Sequence, residues 1–201
     1  VLGCSQLTYA QAVASQRTED FIEALQNALR YFGGVPAAIV PDNLKAAVIR
    51  ANRYEPQINE MLSDFALHYQ TTILPARSGK PRDKALVEGA VNILYKRVYA
   101  PLRSRVFHQL DELNAAIFER VDAHNQMLFS GKEDSRRTRF TEYEQAQLMP
   151  LPTTVSQLKH HLLPRVQNSV HAFLSADTLD YRVPHLLLAT TVCLYYMSRP
   201  F

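Results

Sequence analysis

Apolar side chains recur at helical spacing in several stretches of the chain. Phe21, Leu25 and Phe32 mark the first stretch, in which residues three or four positions apart fall on one face of a helix. Thr18 is the predicted N-cap, and Gly33 provides the stop because glycine tolerates the left-handed conformation that ends many helices. The same spacing predicts further helices over Ile58–Tyr69, Asp83–Tyr99 and from Leu110 to Val121.

Short apolar runs separate these helices. Ala37–Val40 is followed by Pro41 and reads as a short buried strand. Thr71–Leu74 is followed by Pro75 and reads as another short strand. A weak alternation over Tyr9–Ala14 is typical of a strand at a sheet edge. Strands and helices that alternate along a chain favour an α/β layer structure over a helical bundle.

The pattern weakens after residue 129. Residues 130–156 are polar and charged at first and then rich in proline, which predicts a linker with extended backbone. Residues 157–201 are too few and too irregular for a confident fold assignment. We therefore divide the chain into a core at 1–129, a linker at 130–156 and a C-terminal segment at 157–201.

Composition excludes several classes of protein. The 201 residues are 47% hydrophobic and 20% charged, which is typical of a globular chain and not of a disordered one. Cys4 and Cys193 are too few for a disulfide scaffold. The longest apolar stretch, Val183–Met197, is shorter than the roughly 20 residues that span a bilayer. We expect a cytoplasmic protein without a membrane partner.

Positive charge is concentrated in one part of the chain. Eight basic and two acidic residues lie between Arg77 and Arg105, whereas the whole chain carries only +3. With Tyr95 and Tyr99 interleaved, this stretch is typical of a surface that contacts nucleic-acid phosphates, and a solvated basic face is the alternative. The candidate DNA-binding residues are Arg77, Lys80, Arg82, Lys84, Lys96 and Arg97.

Two carboxylates stand near this basic stretch. Asp42 follows a predicted buried strand, and such strand ends line the crevice in which α/β sheets bind ligands. Glu88 lies within the basic stretch, where DNA would repel it unless a metal ion masked its charge. The plainer alternatives are a turn at Asp42 and a surface ion pair between Lys84 and Glu88.

Two sequence blocks carry a family resemblance. Residues 32–36 (FGGVP) and 40–48 (VPDNLKAAV) resemble the IstA-type insertion-sequence transposases, and residues 75–91 are similar to the segment with that family's last acidic residue. The family has a retroviral-integrase-like catalytic core. The resemblance covers about residues 1–130 and implies an RNase H-like three-layer core, a mixed sheet flanked by helices. It also implies that residues 157–201 begin a small β-barrel.

The resemblance also implies a catalytic site. Asp42 matches the second acid of the family's Asp-Asp-Glu triad and Glu88 the third, and Asn43 is placed to orient Asp42. Together with a first Asp they would hold two Mg²⁺ ions, with Mn²⁺ as an alternative. No acid of this chain matches the first Asp, so the chain is interpreted as a fragment that is incomplete at its first strand or strands and lacks the family's N-terminal region.

Two functions follow as hypotheses. The first is metal-dependent DNA strand cleavage and strand transfer by a transposase of which this chain is a part. The second is a catalytically inactive remnant that only binds DNA or other subunits, which is favoured for the fragment alone because one acid is missing. The implied partners are transposon and target DNA in the bacterial nucleoid, further copies of the chain, and an IstB-type AAA+ ATPase helper.

Overall fold

The computed structural model describes residues 1–41, 48–50, 57–74, 89–157, 159–162, 164–174 and 178–197. The chain divides into two compact units, Val1–Ser156 and Gln157–Phe201. None of the described helices is long and apolar enough to cross a membrane.

Helix α1 spans Thr18–Phe32 and confirms the first predicted helix. It buries Ile22 and Leu29 and ends at Gly33, whose φ of 73° is left-handed. The predicted N-cap was wrong by one residue, since Thr18 is the first helical residue and Arg17 precedes it without a side-chain cap. The start of the helix is organised instead by the Ser15 hydroxyl, which donates to Asp20 and accepts from the Arg17 N–H.

Gly34 allows a later part of the chain to pack against the end of α1. A Cβ atom at this position would lie 2.6 Å from Cβ of Leu148 and 2.9 Å from the carbonyl oxygen of Met149. Next to it, Val35 and Met149 exchange backbone hydrogen bonds of 2.8 and 2.9 Å. Only glycine leaves room for this approach.

A small parallel sheet follows α1. Strand β1 (Ala38–Ile39) pairs in parallel with strand β4 (Thr72–Ile73), which confirms both predicted strands in shorter form. The predicted burial of the first strand was wrong, since Ala38 is exposed and Ile39 is only partly buried. Helix α2 (Glu60–Tyr69) lies between them in sequence, and its N-cap Asn59 accepts a hydrogen bond from the Met61 N–H. A separate antiparallel pair is formed by β2 (Val48–Arg50) and β3 (Gln57–Ile58).

Two long helices form a second apolar core in the first unit. Helix α3 is described from residue 89, passes through a π-helical turn at Tyr95–Tyr99 and ends with Ala100–Leu102. The predicted residues 83–88 of this helix lie outside the described residues. Helix α4 spans Leu110–Gln126. The core between the two helices contains Leu94, Val98, Leu102, Ala116, Ile117 and Val121.

The predicted edge strand at Tyr9–Ala14 is absent, and an extended segment lies along α4 in its place. Two asparagines of α4 supply the hydrogen bonds that a neighbouring strand would give. Asn125 accepts from the N–H of Thr8 at 3.1 Å and donates to its carbonyl at 2.7 Å. Asn114 accepts from the N–H of Ala12 at 2.7 Å and donates to its carbonyl at 3.1 Å.

Residues 130–156, predicted as a linker, belong to the first unit and are partly helical. Helix α5 (Arg136–Arg139) begins with a capping box between Ser135 and Thr138. A π-helical turn at Phe140–Glu144 and a 3₁₀ turn at Gln145–Gln147 follow. The Glu144 carboxylate accepts hydrogen bonds from the backbone of Cys4 and Ser5, and so ties this segment to the start of the chain.

The second unit consists of short antiparallel strand pairs in its described residues. Strand β5 (Lys159–Leu162) pairs with β8 (Leu194–Met197). Strand β6 (His171–Leu174) pairs with β7 (Leu179–Arg182). Val166, Ala172 and Leu174 are buried. The start of a β-barrel stays a prediction.

Candidate active site and a buried cationic cluster

The two acidic candidates, Asp42 and Glu88, lie outside the described residues, but each is next in sequence to a described residue. Strand β1 ends at Ile39, and the buried Pro41 directly precedes Asp42 in the chain. Gly89, the first described residue of α3, directly follows Glu88. Of the other predicted site residues, Asn43, Arg77, Lys80, Arg82 and Lys84 also lie outside the described residues.

No group of three or more His, Cys, Asp and Glu side chains that could hold a metal ion occurs in the described part of the chain. A metal site formed by Asp42 and Glu88 therefore stays a proposal.

Lys96 and Arg97 are the two predicted DNA-binding residues that the structure describes. Both are exposed and lie in the π-helical turn of α3. Arg97 turns toward α4, where its Nη1 lies 3.4 Å from Nδ1 of His124 and 2.9 Å from Sδ of Met127. Tyr95 beside them is 61% exposed, so aromatic and basic side chains share this surface of α3.

A cavity of about 200 Å³ opens beside the first described residues of α3. Gly89 and Ile93 line it from α3, and Thr8 lines it from the extended segment. His124 of α4 and Arg136 of α5 also line it, together with Val1, Gln6 and Ala90. The cavity therefore lies next to the backbone that carries Glu88.

His124 is held neutral at the edge of this cavity. Burial, and secondarily the positive charges of Arg136 and Arg97, lower its pKa to about 4. A neutral imidazole carries one proton, and Arg97 donates toward Nδ1. The proton is accordingly assigned to Nε2. His124 thus presents a donor without carrying a charge.

Arg136 differs from the two arginines that follow it. Arg137 pairs with Asp122 at 3.3 Å, and Arg139 pairs with Asp134 at 3.4 Å. Arg136 is 6% exposed and has no acidic partner among the described residues. Its guanidinium lies 4.6 Å from the centre of the Phe129 ring. Burial and the charge of Arg97 lower its pKa, yet a guanidinium remains charged at neutral pH.

The grouping of Arg136, His124 and Arg97 was not predicted from the sequence, because residues 130–156 were interpreted as a linker. The run of arginines at 136, 137 and 139 was the one available signal. It does not distinguish a buried guanidinium from two that form ion pairs, because that difference depends on tertiary contacts.

The free energy of unfolding should fall as the pH is lowered from about 6.5 to about 4. The unfolded chain protonates His124 near its ordinary pKa of about 6.5, whereas the folded chain resists until about 4. At about 1.4 kcal/mol per pKa unit, the loss reaches roughly 3 kcal/mol at the acid end. Urea unfolding at several pH values should show this part of the pH dependence disappear in His124→Gln. A His124 imidazole that titrates near 6.5 by NMR would contradict it.

The comparison with curated proteins finds insertion-sequence transposases. The chain is 42% identical over 192 residues to the "Putative transposase y4bL/y4kJ/y4tB" of Sinorhizobium fredii, which covers 96% of this chain and 37% of that protein. It is 28% identical to the transposase for insertion sequence element IS21 of Pseudomonas aeruginosa, over 95% of this chain and 48% of that protein. The chain is homologous to insertion-sequence transposases. No protein-family model matches it.

A solved structure supports the same fold. The crystal structure of the catalytic core domain of BIV integrase superimposes with a TM-score of 0.53 at 15% identity, and covers 71% of this chain and 83% of that domain. This likeness confirms the expected RNase H-like α/β fold. The transposase homologues are much longer, since the chain spans between about a third and a half of their length.

Proposed function

We propose that this chain forms part of the catalytic core of a transposase that cleaves DNA strands at the ends of an insertion sequence and joins them to target DNA. The observation that carries the proposal is the identity to transposases over nearly the whole chain. The integrase-like fold of the described residues supports it.

Asp42 and Glu88 are the residues that would hold Mg²⁺, or Mn²⁺ in its place. Their carboxylate oxygens are the hard ligands that these ions prefer. Their positions in the chain suit this role, because Asp42 comes after the carboxyl end of a strand in a parallel pair and Glu88 comes directly before described α3. A bound pair of ions supplies charge stabilisation at the scissile phosphate.

The other candidate residues would either orient Asp42 or contact the DNA. Asn43 follows Asp42 directly and would orient its carboxylate. Lys96 would contact DNA phosphates by charge, since it is exposed on α3. Arg97 would do so less directly, because it is turned toward His124. The remaining candidate DNA contacts are Arg77, Lys80, Arg82 and Lys84.

The proposed partners are those of a transposase. They comprise transposon-end and target DNA, further copies of the chain, and an IstB-type AAA+ ATPase, and the proposed location is the bacterial nucleoid. The inactive remnant is the second candidate, and no contact in the described residues favours it. Activity is expected to require a third carboxylate in the place of the family's first Asp.

Mg²⁺-dependent nicking tests the proposal. The full-length protein is incubated with labelled duplex DNA that carries the ends of its insertion sequence, with Mg²⁺ or with EDTA. We expect nicks at the transposon ends with Mg²⁺ and none with EDTA, since the uncompensated phosphate charge then opposes attack. Nicking that persists in EDTA, or no nicking with Mg²⁺ or Mn²⁺, would exclude the proposed chemistry.

A further inference from the structure

The cavity beside α3 carries positive charge that the described residues leave unbalanced. Arg136 lines it and is 94% buried, since only 6% of its surface is exposed. Its guanidinium forms no hydrogen bond or ion pair within the described part of the chain, whereas those of Arg137 and Arg139 beside it both do. A buried charge is costly unless it is paired. An anionic ligand in the cavity would supply the counter-charge.

We propose that this cavity binds a phosphate group through Arg136 and His124. The planar guanidinium offers a fork of donors that matches two phosphate oxygens. The imidazole of His124 adds a neutral donor at Nε2, fixed by the contact of Nδ1 with Arg97. A volume of about 200 Å³ accommodates a phosphate with several water molecules.

The charge around the cavity favours phosphate over a carboxylate. Arg136 provides one positive charge inside, Arg97 provides a second beside His124, and Val1 also lines the cavity. A phosphate monoester carries about −1.5 to −2 at neutral pH and so compensates more than one positive charge, whereas a carboxylate compensates one. Phosphate could come from solution or from the end of a DNA strand. Binding of a DNA end rests on the proposed function, in which Glu88 holds metal at the DNA. Gly89 of the cavity wall directly follows Glu88 in the chain.

Titration of the 201-residue chain with inorganic phosphate tests the site. The titration is followed by the NMR signals of the Arg136 Nε–H and the His124 ring, with NaCl adjusted to keep the ionic strength constant. We expect saturable shifts in both signals, and affinity at least tenfold lower in Arg136→Gln, because charge-assisted hydrogen bonds are lost. Arg139→Gln is the matched control. Arg139 contacts the same Phe129 ring at 4.6 Å but does not line the cavity, so this variant should bind as the wild type does.

Each outcome decides for or against the phosphate site. Equal loss of affinity in both arginine variants, or equal shifts with chloride alone, would overturn it. Because Arg136→Gln also removes a contact with Phe129, its fold is checked by circular dichroism. If Arg136→Gln unfolds, the test is the wild-type chain alone: the NMR signal of His124 should shift with phosphate and not with chloride.

A competition experiment separates the two sources. Displacement of inorganic phosphate by a 5′-phosphorylated oligonucleotide, but not by its hydroxyl-ended twin, would assign the site to a DNA end. Phosphate binding without displacement would assign it to free phosphate. Neither result depends on Mg²⁺. The phosphate site can therefore be disproved while Mg²⁺-dependent nicking is observed, and the nicking can be disproved while phosphate binding is observed.

Discussion

Asp42→Asn and Glu88→Gln should each lower the rate of Mg²⁺-dependent nicking by about a thousandfold or more in the full-length protein. Both substitutions keep the size of the side chain and remove the charge that holds the metal. Loss of metal-based charge stabilisation costs several kcal/mol at the transition state, and each 1.36 kcal/mol is a factor of ten. The measurement is single-turnover nicking of labelled transposon-end DNA.

Two matched variants control for the chemical change itself. Asp111→Asn and Glu119→Gln make the same replacements at exposed positions of α4, and both should nick at the wild-type rate. DNA binding should persist in Asp42→Asn and Glu88→Gln, because removal of a negative charge reduces repulsion of the phosphates. Nicking at the wild-type rate in either of these two variants would show that the residue is not a metal ligand.

The local patterns of the sequence predicted most of the helices and the two strands β1 and β4. Helical spacing located α1 and α2 because it depends on residues three or four positions apart. The proline-bounded run at Ala37–Val40 became β1 in a parallel pair with β4. The resemblance to a transposase family then gave the fold class, which the integrase core confirms.

Features that depend on distant contacts were not predictable in this way. Alternation at Tyr9–Ala14 predicted an edge strand, whereas the backbone of Thr8 and Ala12 bonds to side chains 117 and 102 residues away. Proline and charge at 130–156 suggested a linker. Instead, the Glu144 carboxylate accepts a hydrogen bond from the Cys4 N–H, and Met149 exchanges backbone hydrogen bonds with Val35. The pairing of Arg136 with His124 around one cavity is equally non-local.

The candidate functional residues differ in the same way, since some follow from local sequence and others depend on tertiary contacts. Asp42 and Glu88 could be proposed as metal ligands because they stand in continuous sequence blocks that resemble those of a family. His124 and Arg136 stand in no such block, and their role depends on burial and on which neighbouring arginines have acidic partners. Sequence blocks can therefore indicate chemistry, whereas an unbalanced charge becomes visible only in the folded chain.

Asn125→Ala should lower the free energy of unfolding by about 3–5 kcal/mol. Asn125 is fully buried and Thr8 is 2% exposed, so water cannot replace the lost partners. The substitution leaves the N–H and the carbonyl of Thr8 unpaired, and each such buried group costs about 1–3 kcal/mol. It also removes the hydrogen bond from Asn125 to the Tyr31 hydroxyl. Urea unfolding followed by circular dichroism measures the change.

Asn114→Ala is the matched control on the same helix. Asn114 makes the same pair of hydrogen bonds with Ala12, but both residues are only partly buried. Water can then take the place of the amide, so the expected loss is about 1 kcal/mol. Asn125→Asp should cost at least as much as Asn125→Ala, because a carboxylate cannot donate to the Thr8 carbonyl and its charge would be buried. Equal losses in Asn125→Ala and Asn114→Ala would show that burial does not set the strength of this attachment.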